Sequence, residues 1–246
     1  MIKCYQDFFD SKIFKKDVYK IICDTTTRPT AIKNHIAKIN SCVDIIFAFT
    51  PFDHRYITTL DRLGFDFIDI NNVYIHTPKN HTTEALQKIP SGFSMIDFSN
   101  NPPIISKESI KKLSIIIGNT GRYHADPKIH KSISNKIYID WLHNSLFNNY
   151  ADKIFAIIKD SDMLAVITLK IKDGSGHIDL IGVQDEYQKN GFGKILISNA
   201  LNFFKNNNIS EIFVSTQGSN ITANAFYQKN GFIIHKTELI YHKHIQ

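Results

Sequence analysis

Apolar residues recur along this chain in two rhythms, and each change of rhythm marks an element. In the first third, Val18–Cys23 and segments 44–49 and 65–70 are short apolar or alternating runs of strand type. Segments 29–39 and 55–63 carry apolar residues at helical spacing, and Gly64 stops the second. Strand and helix in alternation predict a small α/β unit over residues 1–88. The polar stretch 77–83 reads as a linker into a second unit, 89–246.

The second unit is read in the same way. A strand is expected over 92–97. Segment 106–117 is ambiguous, because its tail is an apolar run of strand type while Ser106 suits a helix cap. Segment 135–147 is an amphipathic helix, with Ile137, Tyr138, Trp141, Leu142 and Leu146 on its apolar face. Segments 153–158 and 163–170 form a hairpin, and Asp173-Gly174-Ser175-Gly176 turns into a strand over 177–183. Then follow a helix carrying Ile195, Leu196, Ala200, Leu201 and Phe204, a strand over 211–216, a helix over 221–229 ending at Asn230-Gly231, and two final strands. No internal repeat is visible.

Candidate chemistry begins between the strand 177–183 and its following helix, at Gln188-Lys189-Asn190-Gly191-Phe192-Gly193-Lys194. A strand that turns through glycines into a helix presents free N–H groups at the positive end of the helix dipole, where phosphate oxygens bind. A plain tight turn has the same sequence, and both readings stand at this point. The glycine spacing and the missing Gly-Lys-Ser/Thr ending exclude a P-loop. A third glycine and a βαβ crossover are missing for a dinucleotide fingerprint.

One strand later comes Ser219-Asn220-Ile221-Thr222-Ala223-Asn224-Ala225-Phe226-Tyr227, then Gly231-Phe232. Together the two segments resemble the GNAT superfamily of acyl-CoA-dependent N-acyltransferases. The first resembles its Gln/Arg-x-x-Gly-x-Gly/Ala pyrophosphate motif, the second its Asn-x-x-Ala-x-x-x-Tyr helix. The resemblance implies a mixed, mostly antiparallel central sheet flanked by helices, an α/β (α+β) fold, with the small α/β domain in front. It also favours a helix for 106–117. Gly121-Arg122-Tyr123-His124-Ala125-Asp126-Pro127, the helix with Trp141 and Asn144, and Val214-Ser215-Thr216-Gln217 resemble the branch that includes TDP-fucosamine acetyltransferase, and Leu63-Gly64-Phe65-Asp66-Phe67-Ile68-Asp69 is similar to that branch's extra N-terminal domain. The implied reaction moves an acetyl or longer acyl group from CoA to the amine of a TDP-linked amino-deoxy sugar, for a surface polysaccharide.

On that resemblance, acyl-CoA is the co-substrate and no metal takes part. Val183 supplies a backbone N–H beside the thioester carbonyl, with Gly182 letting the strand part. Gln188, Lys189, Asn190, Gly191, Phe192, Gly193 and Lys194 hold the pyrophosphate, Asn220 holds the CoA arm, and Tyr227 is the general acid. Arg122, Tyr123, His124 and Tyr241 are expected at the acceptor, with His242 able to share that side. His124, Asp126, Asp179 and Glu186 are all open as general base, and a water relay needs none of them. Trp141 reads first as a core residue. Other readings are a GNAT acting on a protein amine or an aminoglycoside, and a non-catalytic CoA-binding module.

Composition adjusts this picture little. The net charge of +6 suits a solvated basic surface or a cleft for phosphorylated ligands, but no basic run of a nucleic-acid-binding tail occurs. The longest apolar runs, such as 113–117, are too short to cross a membrane, and the first residues lack a signal-peptide core. Cys4, Cys23 and Cys42 are odd in number and lack metal-ligand spacing, so reduced thiols and a cytoplasmic location are expected. Short edge strands would suit a homodimer.

Overall fold

A computed structural model describes residues 2–39, 43–78, 88–99 and 102–245. Cys42 and the 79–83 part of the expected linker lie outside the described residues. The first stretch of chain forms strand β1 (Ile2–Gln6), helix α1 (Phe8–Phe14), β2 (Val18–Cys23), α2 (Ala31–Lys38), β3 (Ile45–Pro51), α3 (His54–Arg62) and β4 (Asp66–His76). After it come β5 (Ser94–Asp97), α4 (Lys107–Gly118), a short α5 (Arg122–Ala125), α6 (Lys131–Phe147), β6 (Lys153–Lys159), β7 (Asp162–Lys172) and β8 (Ser175–Val183). The chain closes with α7 (Phe192–Asn206), β9 (Ile212–Gln217), α8 (Ile221–Lys229) and β10 (Ile233–His244).

Local chemistry accounts for most of these boundaries. The Oγ of Ser106 accepts the N–H of Ser109, which settles the ambiguous segment as a helix. Ile110 and Leu113 on one side of this helix are buried, while Ile115, Ile116 and Ile117 of its apolar tail are half-buried. Asp7 caps α1 in the same manner through the N–H of Asp10. The sequence reading missed β1 and α1, which are too short to show a period. Two final strands were expected; there is one, β10, because the polar stretch 235–237 continues along β4 with register shifts. None of the described helices is long and apolar enough to cross a membrane.

All ten strands join one sheet in the order β1-β2-β3-β10-β4-β9-β8-β7-β6-β5. The pairs β2/β3 and β8/β9 are parallel and every other pair is antiparallel. One face is covered by a core of α1, α4, α5 and α6, built around Phe47, Leu113, Tyr123, Ile137 and Leu142. On the opposite face α2 and α3 cover one half, around Ile32, Tyr56 and Leu60. There α7 and α8 cover the other half, around Leu196, Phe204 and Tyr227.

The structure reveals a repeat that the sequence conceals. The elements β3, α3 and β4 begin at 45, 54 and 66, and β9, α8 and β10 begin at 212, 221 and 233, a constant offset of 167 residues. Gly64 and Gly231, at that same offset, both end their helices with positive φ (72° and 81°). Phe65 and Phe232 then donate their N–H to the equivalent carbonyls of Leu60 and Tyr227. Within the sheet the two copies exchange their last strands: β10 pairs with β3, and β4 pairs with β9. Asn71 and Glu238, themselves 167 apart, face each other where β4 meets β10, so the copies are related by a pseudo-twofold there. Few side chains match across the copies, and periodicity within either one cannot register it.

Candidate active site

The parallel pair β8/β9 is hydrogen-bonded only where Gly176–Ile178 faces Ile212–Val214. Beyond that point the strands part, and residues 179–183 and 215–217 line a cavity of about 1030 Å³. The parting begins at a bulge. Ile178 faces Leu169 and Leu180 faces Thr168, leaving Asp179 as the extra residue. Gly182 was expected to release the strand, but its role is packing: a Cβ there would lie 2.4 Å from Cγ1 of Ile117 on α4. The N–H of Gln184 donates to the carbonyl of Leu164 at 2.8 Å. Antiparallel ladders alternate, so the N–H groups of Ile181 and Val183 point away from β7 into the gap that β9 has left.

The turn 188–194 forms one wall of this gap. Lys189 and Gly191 both adopt positive φ (65° and 81°), and α7 then starts with no side-chain cap. Its first N–H groups therefore lack the usual partner and face the cavity, which Lys189, Gly191, Phe192, Gly193 and Lys194 all line. A Cβ on Gly193 would press on the Phe226 ring at 3.1 Å. Gln188 braces the turn by donating to the Val183 carbonyl (3.3 Å) and Asp185 (2.8 Å). Asn190 is outside the lining; its amide donates to the Tyr187 carbonyl. Phe192 anchors the turn with its ring buried against Phe93. Such a bare, uncapped helix start with small residues at closest approach fits a pyrophosphate.

On the β9 side, Asn220 caps α8 through the N–H of Ala223 and donates to Thr120 Oγ1 at 2.9 Å. Tyr227 follows two turns later and lines the cavity with a ring that is 4% exposed. Burial holds its phenol well above the usual range, so it stays protonated at neutral pH.

The remaining wall comes from α4–α6 and the first half of the chain. Trp141, expected as core, is partly buried and lines the cavity, stacked on Tyr138 at 6.1 Å. Phe49 of β3 and Asn71 of β4 reach the same space. Arg122 lines it as well, held by Phe47, Phe49 and Tyr123 rings and by Asp10, with Nε left without a partner among the described residues. The Tyr123 hydroxyl donates to Asp10 Oδ2 at 2.7 Å and accepts from Arg122. Tyr123 is thus an anchor between α1 and α5 with one edge on the cavity. Nothing in a sequence marks Phe49 or Asn71, because their approach depends on how the two halves share the sheet.

Two expected acceptor contacts are misplaced. His124 does not line the cavity. Tyr241 is on the opposite face of β10, packed on Phe67 within the α2/α3 core, while its neighbour Ile240 reaches the cavity. Strand alternation makes one of two adjacent residues face away. His242 is fully buried against Phe47, and its Nδ1 lies 2.7 Å from Asp126, which also meets His244 Nε2 at 2.8 Å. Burial pushes the His242 pKa down to about 4, so the ring is neutral and Nδ1 donates to Asp126.

The four acidic or histidine candidates for a base now separate. Asp126 is occupied by two imidazoles, and Glu186 pairs with Lys112 at 2.6 Å on the surface. Of the four, Asp179 alone lines the cavity. Burial raises its pKa to about 6, opposed by Lys170 and reinforced by Asp152. A carboxylate poised near neutrality in a cleft is suited to proton transfer.

Residues 123–232 match the model of the Acetyltransferase (GNAT) family. A comparison with curated protein sequences returned no match. Among solved structures, the fold is similar to that of a GCN5-related N-acetyltransferase from Sphaerobacter thermophilus, at 9% identity and TM-score 0.66, over 100% of this chain and 76% of that one. A functionally unknown conserved protein from Staphylococcus epidermidis aligns at 15% identity and TM-score 0.61, over 94% of this chain and 85% of that one. A tandem GNAT protein from the clavulanic acid biosynthesis pathway aligns at 9% identity and TM-score 0.60, over 92% and 75%. At these identities the structural likeness speaks for the fold.

Proposed function

We propose that this chain is an acyl-CoA-dependent N-acyltransferase of the GNAT superfamily, whose family model its residues 123–232 match, and that its acceptor is a TDP-linked amino-deoxy sugar. The observation that carries the chemistry is the parted β8/β9 pair. One gap holds an anion cradle at 188–194, inward N–H groups at Ile181 and Val183, the Tyr227 phenol and the Asp179 carboxylate. In this reading the acyl-CoA pyrophosphate rests on the start of α7 and the thioester carbonyl meets the Val183 N–H. The acceptor amine attacks that carbonyl and sheds its proton to Asp179. The Val183 N–H stabilises the charge that develops on oxygen. The C–S bond then breaks, and Tyr227 gives its phenolic proton to the departing sulfur.

The choice of acceptor rests on the sequence resemblance, and three features support it. A cavity of about 1030 Å³ sits at the upper end of ligand pockets, roughly 300–1,000 Å³, and so leaves room beyond a pantetheine arm. Trp141, Tyr138, Phe49 and Phe213 offer flat apolar surfaces on which a base or sugar face can stack. Asp179 and Asp185 are the carboxylates among the lining residues, too few for a polycationic aminoglycoside. The same reading includes a role in surface polysaccharide synthesis and a cytoplasmic location.

The test is an acyl-transfer assay with acetyl-CoA, following free thiol, over a panel of TDP-amino-sugars, peptide amines and aminoglycosides. Turnover confined to the sugars supports the reading; turnover of a peptide or antibiotic and of no sugar removes it. Tyr227→Phe should lower kcat about a hundredfold while the Kd for acyl-CoA stays within about twofold. Unchanged kcat would withdraw its role as the acid.

A further inference from the structure

The Tyr227 ring packs against that of Tyr74, with centroids 5.8 Å apart and the planes tilted by 43°. Tyr74 belongs to β4, the strand that the first copy of the repeat lends to the second. Its hydroxyl donates to Oδ1 of Asn224 at 2.8 Å, and Gln228 donates to that hydroxyl at 3.2 Å. Asn72, also on β4, donates to the same Asn224 oxygen at 3.0 Å. The Asn224 amide nitrogen in turn donates to the carbonyls of Gln217 (2.8 Å) and Asn220 (2.7 Å). One side chain therefore ties together β4, the end of β9 and the first turn of α8. Tyr227 sits on that helix three residues further on.

The repeat provides an internal control. At the offset of 167 residues, Tyr241 is the counterpart of Tyr74, Leu60 of Tyr227 and Ile57 of Asn224. Tyr241 packs in the α2/α3 core with Leu60, where no phenol has to be aimed. There β2 and β3 stay paired from Val18/Ile45 to Ile22/Phe49 instead of parting. The tyrosine on the exchanged strand is thus common to both copies. The polar link through Asn224 occurs in the copy that carries the acid.

We infer that Tyr74 and Asn224 are positioning residues for the proton transfer by Tyr227, so that the first half of the chain contributes directly to catalysis in the second. Neither lines the cavity, and both act through the placement of α8. The inference rests on Tyr227 as the general acid. A displacement of about 1 Å of a catalytic group is enough to slow chemistry substantially without loss of binding.

The experiment is a double-mutant cycle on the full chain, using acetyl-CoA and whichever amine the assay identifies. Tyr74→Phe removes one oxygen and keeps the ring, so it tests the link even if Asn224→Ala fails to fold. Tyr74→Phe should lower kcat about tenfold, with the KM for acetyl-CoA within about twofold, and the loss should vanish in a Tyr227→Phe background. Asn224→Asp, which keeps the Oδ acceptor for Tyr74 and Asn72, should recover part of what Asn224→Ala loses. Wild-type kcat in Tyr74→Phe, or a loss that simply adds to that of Tyr227→Phe, overturns the inference. Wild-type kcat in Tyr227→Phe overturns the assignment of the acid itself, and this inference with it.

Discussion

Asp179 is subject to opposite demands from activity and stability. In its proposed role as base it must be ionised, so kcat/KM should fall as pH drops through about 6, the value to which burial raises its pKa. Asp179→Asn should lower kcat/KM by roughly a hundredfold or more and abolish that acidic limb, read from a pH–rate profile. For stability the sign reverses. A folded-state pKa raised from 3.8 to about 6 means the folded chain holds this proton more tightly than the unfolded chain. Stability from this group is present at low pH and is lost as pH rises through that window. The Asn variant should therefore melt higher than the parent at pH 8, by roughly 1–3 kcal/mol, and nearly equally at pH 4. Its presence was legible in the sequence. What separated it from His124, Asp126 and Glu186 was position, since all four are ordinary titratable residues until burial and partners distinguish them.

The element that carries the proposed acyl-CoA site is the strand–turn–helix from β8 into α7, and its glycines act for different reasons. Gly191 has open space around a would-be Cβ, but its φ of 81° disfavours any other residue. Gly191→Val should cost about 1–2 kcal/mol and raise the KM for acetyl-CoA about tenfold, with kcat at saturation retained; steady-state kinetics over a range of acetyl-CoA checks it. Gly193 and Gly182 are required by neighbours, Phe226 and Ile117, that are remote in sequence. The Gln-x-x-Gly-x-Gly turn was readable as a candidate cradle because anion binding by a helix start depends on residues within one turn. The reason for Gly182 was not readable, because it depends on where α4 packs. In the same way periodicity found most of the later elements, left 106–117 ambiguous, missed β1, α1 and the short α5, and split β10 in two.

At the scale of the molecule, the sheet is shared between the two halves, with β4 of the first lying between β9 and β10 of the second. A fragment of residues 89–246 would leave β9 unpaired along one edge, strip β10 of both its partners β3 and β4, and remove Tyr74 from the core under Tyr227. Expressed alone, it should lack a cooperative thermal transition by circular dichroism and show no thiol release from acetyl-CoA; a fragment with native-like melting and full activity would contradict this. Sequence-local rules were sufficient for helix caps, the positive-φ turn 188–194, the helix from Asn220 to Tyr227 and the α/β class, because each depends on neighbours within a few residues. The exchange of β4 and β10, the pseudo-twofold and the turning of Tyr241 away from the cavity arise from pairings between residues well over a hundred positions apart, such as Asn71 with Glu238. Those pairings are set by which apolar faces bury together and which backbone edges find partners, and only the folded chain brings them into contact.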